Sequence, residues 1–214
     1  MLTNARLSFP LPDARLSAGQ YQRPGHDQNK QTKLVPRLLL VSSLVFMPNF
    51  AWSAFLNNVM LSDLKSKYGE RAHKRGVYLQ ELLAKLKNAD TRTKLKEVND
   101  FFNKFSYKSD LELWGEKDYW ATPTEFVGRY GGDCEDYVIS KYLTLRSLGI
   151  PDDKLRLTYA KSTKQNIAHM VLNYFETPKS VPLVLGNYNP KLLPANQRKD
   201  LKLLYSFNLS ASRS

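Results

Sequence analysis

Gly131-Gly132-Asp133-Cys134-Glu135-Asp136-Tyr137 carries the single cysteine of a 214-residue chain. Two glycines precede the thiol, three carboxylates flank it, and apolar residues at helical spacing follow at once. A free cysteine is ordinarily a small buried packing group. Acids at Asp133, Glu135 and Asp136 do not suit that role, because burying them is expensive. Gly-Gly followed by a short polar turn suits a chain entering a helix by its N-terminus. There the backbone N–H groups and the helix dipole stabilise a thiolate. The flanking carboxylates oppose this by raising the thiol pKa. The site therefore calls for a positive neighbour, either His169 in its charged form or a bound cation.

Downstream, Val138, Ile139, Tyr142, Leu145 and Leu148 recur at helical spacing, and Gly149 with Pro151 ends the pattern. This stripe predicts a central buried helix over 134–148. Short runs rich in Val, Leu and Tyr follow at 155–160, 169–175 and 183–187, with polar turns between them. In the second run Met170, Leu172 and Tyr174 face one side, and His169, Val171 and Asn173 the other. The tail from 194 to 208 reads as a final strand. Upstream, apolar periodicity predicts helices over 55–68, 76–87 and 91–105. The stretch 107–130 reads as a long irregular segment. Within it, Thr122-Pro123-Thr124-Glu125 has the form of a helix start, with Thr122 as N-cap and Glu125 at N3. Its aromatics Trp114, Tyr119, Trp120 and Phe126 are candidates for either a groove beside Cys134 or the core. Helices first and strands afterwards give an α+β fold.

The chain carries net charge +12, from 32 basic and 20 acidic residues. The bases are scattered and no nucleic-acid recognition motif accompanies them, so a nucleic-acid partner is not expected. One cysteine excludes an internal disulfide. Residues 1–32 are polar and aperiodic, and read as disordered or as an extension upstream of the true start. Residues 33–53 hold basic residues, a short apolar run and Ala51-Trp52-Ser53, the layout of a secretory signal. An uncleaved N-terminal anchor is the alternative. The apolar run is too short for an ordinary membrane span. The working domain is then 54–214, exported.

Among three histidines, His26 falls in the extension and His73 lies among Arg71, Lys74 and Arg75. His169 opens an apolar strand, where a neutral structural role is usual. With a cysteine at a helix start, it becomes a candidate base. Imidazole takes the thiol proton, and the ion pair keeps the sulfur nucleophilic near neutral pH.

The motif around Cys134, together with Leu148-Gly149-Ile150-Pro151, Ala168-His169-Met170-Val171-Leu172, Pro182-Leu183-Val184-Leu185 and Tyr205-Ser206-Phe207-Asn208, closely resembles the bacterial transglutaminase-like cysteine proteinases of the LapG type. The resemblance runs from about residue 61 to 208. It implies a papain/transglutaminase-like fold, with N-terminal helices and a central Cys-bearing helix packed on an antiparallel sheet. It implies a periplasmic endopeptidase that clips the N-terminal region of a large surface adhesin, which releases cells from a biofilm; a monomer is expected. It also implies calcium dependence and an inner-membrane cyclic-di-GMP receptor as partner. By position, Cys134 is the nucleophile and His169 the base, and Asp133, Glu135 and Asp136 belong to the calcium site. An acidic turn capping the helix is the alternative for the acids. The family's third catalytic residue is an Asp where this chain has Gly186. Asn187 is adjacent and is the candidate substitute, although strand alternation turns it away unless a bulge intervenes. A weakened enzyme is one expectation. A non-catalytic binding module and an acyl transferase on the same scaffold are the others.

Overall fold

The computed structural model describes residues 58–208. The expected extension and export signal lie outside the described residues. Six helices and seven strands, with two short 3-10 turns, make up this region. Among the described residues, no helix is long and apolar enough to cross a membrane.

Helix α1 (Asn58–Tyr68) turns into α2 (Glu70–Leu86) through Gly69 alone. Gly69 has φ +83°, a conformation that costs any other residue strain. The sequence expectation began α2 at residue 76, but the helix starts at Glu70 and carries Gly76 inside it. Packing explains that glycine. A Cβ at residue 76 would lie 2.5 Å from Leu64 Cδ1 and 2.8 Å from Leu61 Cδ2. The two helices touch because it is absent. Helix α3 (Thr91–Phe102) is capped by Asp90, whose carboxylate accepts the Thr93 N–H at 3.0 Å. It buries Leu95, Val98, Phe101 and Phe102.

The stretch expected to be irregular holds four short elements. Strand β1 (Ser106–Tyr107) pairs in parallel with β2 (Gly131–Gly132). Between them lie α4 (Asp110–Trp114) and α5 (Pro123–Arg129). Helix α5 opens on the capping box legible in the sequence: Thr122 Oγ1 accepts the Glu125 N–H, and Glu125 Oε2 accepts the Thr122 N–H at 2.8 Å. Of the four candidate groove aromatics, Phe126 is core, stacked against Phe105 and edge-on to Tyr137. Trp114 packs on Tyr119 with ring centroids 4.6 Å apart. Arg75 reaches from α2 to accept-rich backbone on α5, donating to Val127 O at 2.9 Å and Gly128 O at 2.8 Å.

Helix α6 (Cys134–Ser147) follows β2 directly, and its cap is closed by Gly149 at φ +85°. Strands β3 (Leu155–Ser162), β4 (Ala168–Tyr174), β5 (Leu183–Leu185), β6 (Leu193–Pro194) and β7 (Leu201–Phe207) build one antiparallel sheet in the order β6-β5-β4-β3-β7. The tail thus forms an edge strand beside β3, with a bulge between Tyr159 and Ala160. Strand β4 is central and buried on both faces. Met170, Leu172 and Tyr174 join Tyr137, Val138, Tyr142 and Leu145 of α6 in one apolar core with α1, α2, α3 and α5. Apolar surface buried at this junction of helix and sheet stabilises the fold by about 25 cal/mol per Å².

Candidate active site

Cys134 is the first residue of α6, and the backbone N–H of Met170 on β4 lies close enough to its sulfur to draw the thiol pKa down. His169 is the residue before Met170, 1 % exposed, and pairs across the sheet with Ala160. The fold therefore brings the thiol to the strand that carries the imidazole. Tyr188 spans both: its ring stacks on His169 with centroids 4.0 Å apart and planes 11° from parallel. Its hydroxyl lies within electrostatic range of Cys134. Tyr107 from β1 lies near Tyr188 and Cys134, with its ring centroid 6.2 Å from that of Tyr188.

The thiol and imidazole are not hydrogen-bonded to one another. Cys134 Sγ donates instead to Glu135 Oε2 at 3.1 Å. Both ring nitrogens of His169 lack a partner within the protein. Burial, the Glu135 charge and hydrogen bond, and Asp133 together push the thiol well above its usual pKa. Burial, with the charges of Arg198 and Lys141, lowers His169 to about 4. Both effects favour neutral thiol and neutral imidazole. Peptide attack needs the sulfur deprotonated, so extra positive charge must reach the sulfur, as the sequence had indicated.

The acids around Cys134 divide by environment. Asp133, Glu135 and Asp110 from α4 bring one carboxylate oxygen each within 4.8 Å of one another. Asp110 Oδ1 and Asp133 Oδ1 are buried without a partner in the protein. Burial and the Glu135 charge raise the Asp133 pKa, and burial raises that of Asp110. Such a set of hard oxygens, short of positive charge, fits a calcium ion. Asp136 lies beside this set and serves the backbone. Its Oδ1 accepts the Ala121 N–H at 2.8 Å, and its Oδ2 the Asp133 N–H at 3.4 Å. Its pKa is raised to about 8, chiefly by burial. A Cβ at Gly132 would lie 2.2 Å from Asp136 Oδ2, so that glycine is what lets the carboxylate close over the turn.

Asn187 does not orient His169. Strand β5 ends at Leu185, so the strand alternation that would govern residue 187 stops two residues short. Asn187 Oδ1 is buried with no hydrogen-bond partner. At Gly186, a Cβ would meet Val171 Cγ1 at 3.4 Å and Arg198 Nη1 at 3.6 Å. Asp110, Tyr107, Tyr188, Lys141 and Arg198 were missed in the sequence. Asp110 carried a readable sign, since Ser109 is a helix N-cap just before it. The others sit in turns or on faces that periodicity alone does not connect to Cys134.

A profile of the bacterial transglutaminase-like cysteine proteinases matches residues 70–201. Calcium-bound LapG of Legionella pneumophila is 44% identical, with TM-score 0.63, over 70% of this chain and 82% of that chain. The EGTA-treated form of the same Legionella pneumophila protein is also 44% identical, with TM-score 0.63, over 70% of this chain and 80% of that one. No curated protein sequence matches. The chain belongs to the bacterial transglutaminase-like cysteine proteinase family and is a cysteine peptidase.

Proposed function

We propose that the chain is a calcium-dependent endopeptidase of the periplasm that cleaves the N-terminal region of a large surface adhesin and so controls biofilm attachment. An inner-membrane receptor responsive to cyclic di-GMP is the proposed regulator. The observation that carries the reading is the junction of α6 and β4, where Cys134 meets Met170 beside His169 and the Asp110–Asp133–Glu135 set lies against the thiol. The likeness to a protein solved in calcium-bound and EGTA-treated forms supports the calcium part.

Cys134 Sγ attacks the scissile carbonyl after His169 takes its proton, and His169 returns that proton to the leaving amine. Water then hydrolyses the thioester. First-turn N–H groups of a helix have no intrahelical acceptor, so the Cys134 N–H is placed to donate to the developing oxyanion. Asp110, Asp133 and Glu135 would hold the calcium ion, which would supply positive charge next to the sulfur and offset the Glu135 carboxylate that accepts the thiol hydrogen bond. Tyr188, stacked on the imidazole, fixes the plane in which His169 turns.

The test is incubation with a purified adhesin N-terminal fragment, in calcium or in EGTA, read by mass spectrometry. Two new peptides that together make up the fragment are expected in calcium, and none in EGTA or with Cys134→Ala. Intact fragment under every condition overturns the reading, and a cross-linked product replaces it with acyl transfer.

A further inference from the structure

Arg198 is 3 % exposed, and its guanidinium is only partly matched. Nε and Nη2 donate to Asp200 Oδ1 and Oδ2 at 2.9 and 2.8 Å. Nη1 is buried and has no partner within the protein. A Cβ added at Gly186 would lie 3.6 Å from it and 3.4 Å from Val171 Cγ1, so the glycine leaves room beside the guanidinium. Two further groups bear on the same place. Lys141 is fully buried, donates to Asn103 Oδ1 at 2.8 Å, and feels the charge of Arg198. Asn103 Nδ2 in turn donates to Gly186 O at 3.0 Å, tying that lysine's partner to the same turn. His169 feels both cations, and neither of its nitrogens has a partner. Arg198 and Lys141 bring two positive charges, and Asp200 is paired with Arg198 alone. A guanidinium offers five donors in a fixed fork, and a buried donor left unmatched is costly.

We propose that the space between Gly186 and Arg198 binds a small monovalent anion, of chloride or formate size, held by Arg198 Nη1 beside His169. The glycine is what opens the place: any side chain there would occupy it. The anion acts as a positioning group, bringing negative charge to the imidazole that no residue of β5 supplies. Its binding is read without turnover, so its failure is distinct from failure of the peptidase reading.

The experiment uses the full chain at constant ionic strength, with sodium chloride or sodium formate replacing sodium gluconate. Thermal unfolding is expected to show a saturable rise in midpoint of about 2–4 °C with either small anion. Chloride-35 resonance broadening by the protein is expected, and formate is expected to reverse it. In Gly186→Asp the tethered carboxylate occupies the place, so both responses are lost. Gly186→Ser fills it with a neutral group and weakens both, which keeps the test open where the Asp variant does not fold. No saturable response overturns the proposal. An equal response in either folded variant also overturns it, because the anion then binds elsewhere on this basic surface.

Discussion

Glu135 Oε2 accepts a hydrogen bond from the Cys134 thiol, and His169 stands by with no hydrogen bond to either nitrogen. Burial and this carboxylate therefore hold the nucleophile in its unreactive form, while burial and two cations hold the base neutral. Lys141 is the clearer of those cations to test, because it is far from the acids around the thiol. Burial lowers its pKa to about 7, against an ordinary 10.5. Between those values the unfolded chain binds more protons than the folded one, so stability rises with pH across the window. One proton gives a slope of up to about 1.4 kcal/mol per pH unit. Asp133, Asp136 and the Cys134 thiol, each raised by burial, pull the slope the other way in the same window, so the Lys141 contribution is read as the difference between wild type and variant in urea unfolding from pH 7 to 9.5 in gluconate. Lys141→Met is expected to shift the slope downward from that of wild type by up to this one-proton amount, and matching slopes in the two proteins would remove Lys141 as a contributor. Tyrosines with raised pKa values act oppositely only above about pH 10, outside the range measured.

Helix α5 shows how a short element can be specified locally and still matter to the whole. Its capping box satisfies two first-turn donors, Pro123 fixes the entry, and Phe126 then enters the aromatic cluster with Phe102, Phe105 and Tyr137. Thr122→Ala removes a cap worth about 1 kcal/mol. For a domain of this size that is expected to lower the unfolding midpoint by about 2–4 °C. An unchanged midpoint would mean that tertiary packing alone holds the turn. This start was legible because Thr-Pro-Thr-Glu is a local signal. The long helices and the strands β3 and β4 were legible through periodicity, since each presents one face to the α6–β4 core. What escaped was set by contacts between distant residues. Gly76 looked like a helix boundary but marks a close crossing of α1 and α2. Strand β5 ends at Leu185 instead of 187, which removed the strand geometry that would have placed Asn187. Asp110 joins Asp133 and Glu135 only because β1 and β2 pair and fold α4 back over the head of α6. No spacing in the sequence states that pairing.

Across the whole domain, opposite charges are kept apart around one catalytic junction. Acids from α4 and the head of α6 crowd the sulfur, while Arg198 and Lys141 bear on the imidazole. Among the described residues, none of Asp110, Asp133, Glu135 or Asp136 forms an ion pair. The fold therefore gathers carboxyl groups, with no cation to balance them, in a buried turn that joins β1, β2, α4 and α6, and this raises their pKa values. A calcium ion that binds only the folded chain stabilises it by RT ln(1 + [L]/Kd), about 2.7 kcal/mol at a hundredfold excess over Kd. EGTA is accordingly expected to lower the thermal midpoint by several degrees. Cys134→Ala leaves the carboxylates in place, so it is expected to lose turnover yet keep the calcium-dependent shift. Asp110→Asn removes one buried oxygen charge and is expected to shrink that shift, whereas Asp118→Asn, at an exposed position of the same loop, leaves it as in wild type. A calcium shift that survives Asp110→Asn undiminished would place the ion away from α4. A wild-type midpoint indifferent to EGTA would leave the buried acids protonated rather than metal-bound, as their raised pKa values allow.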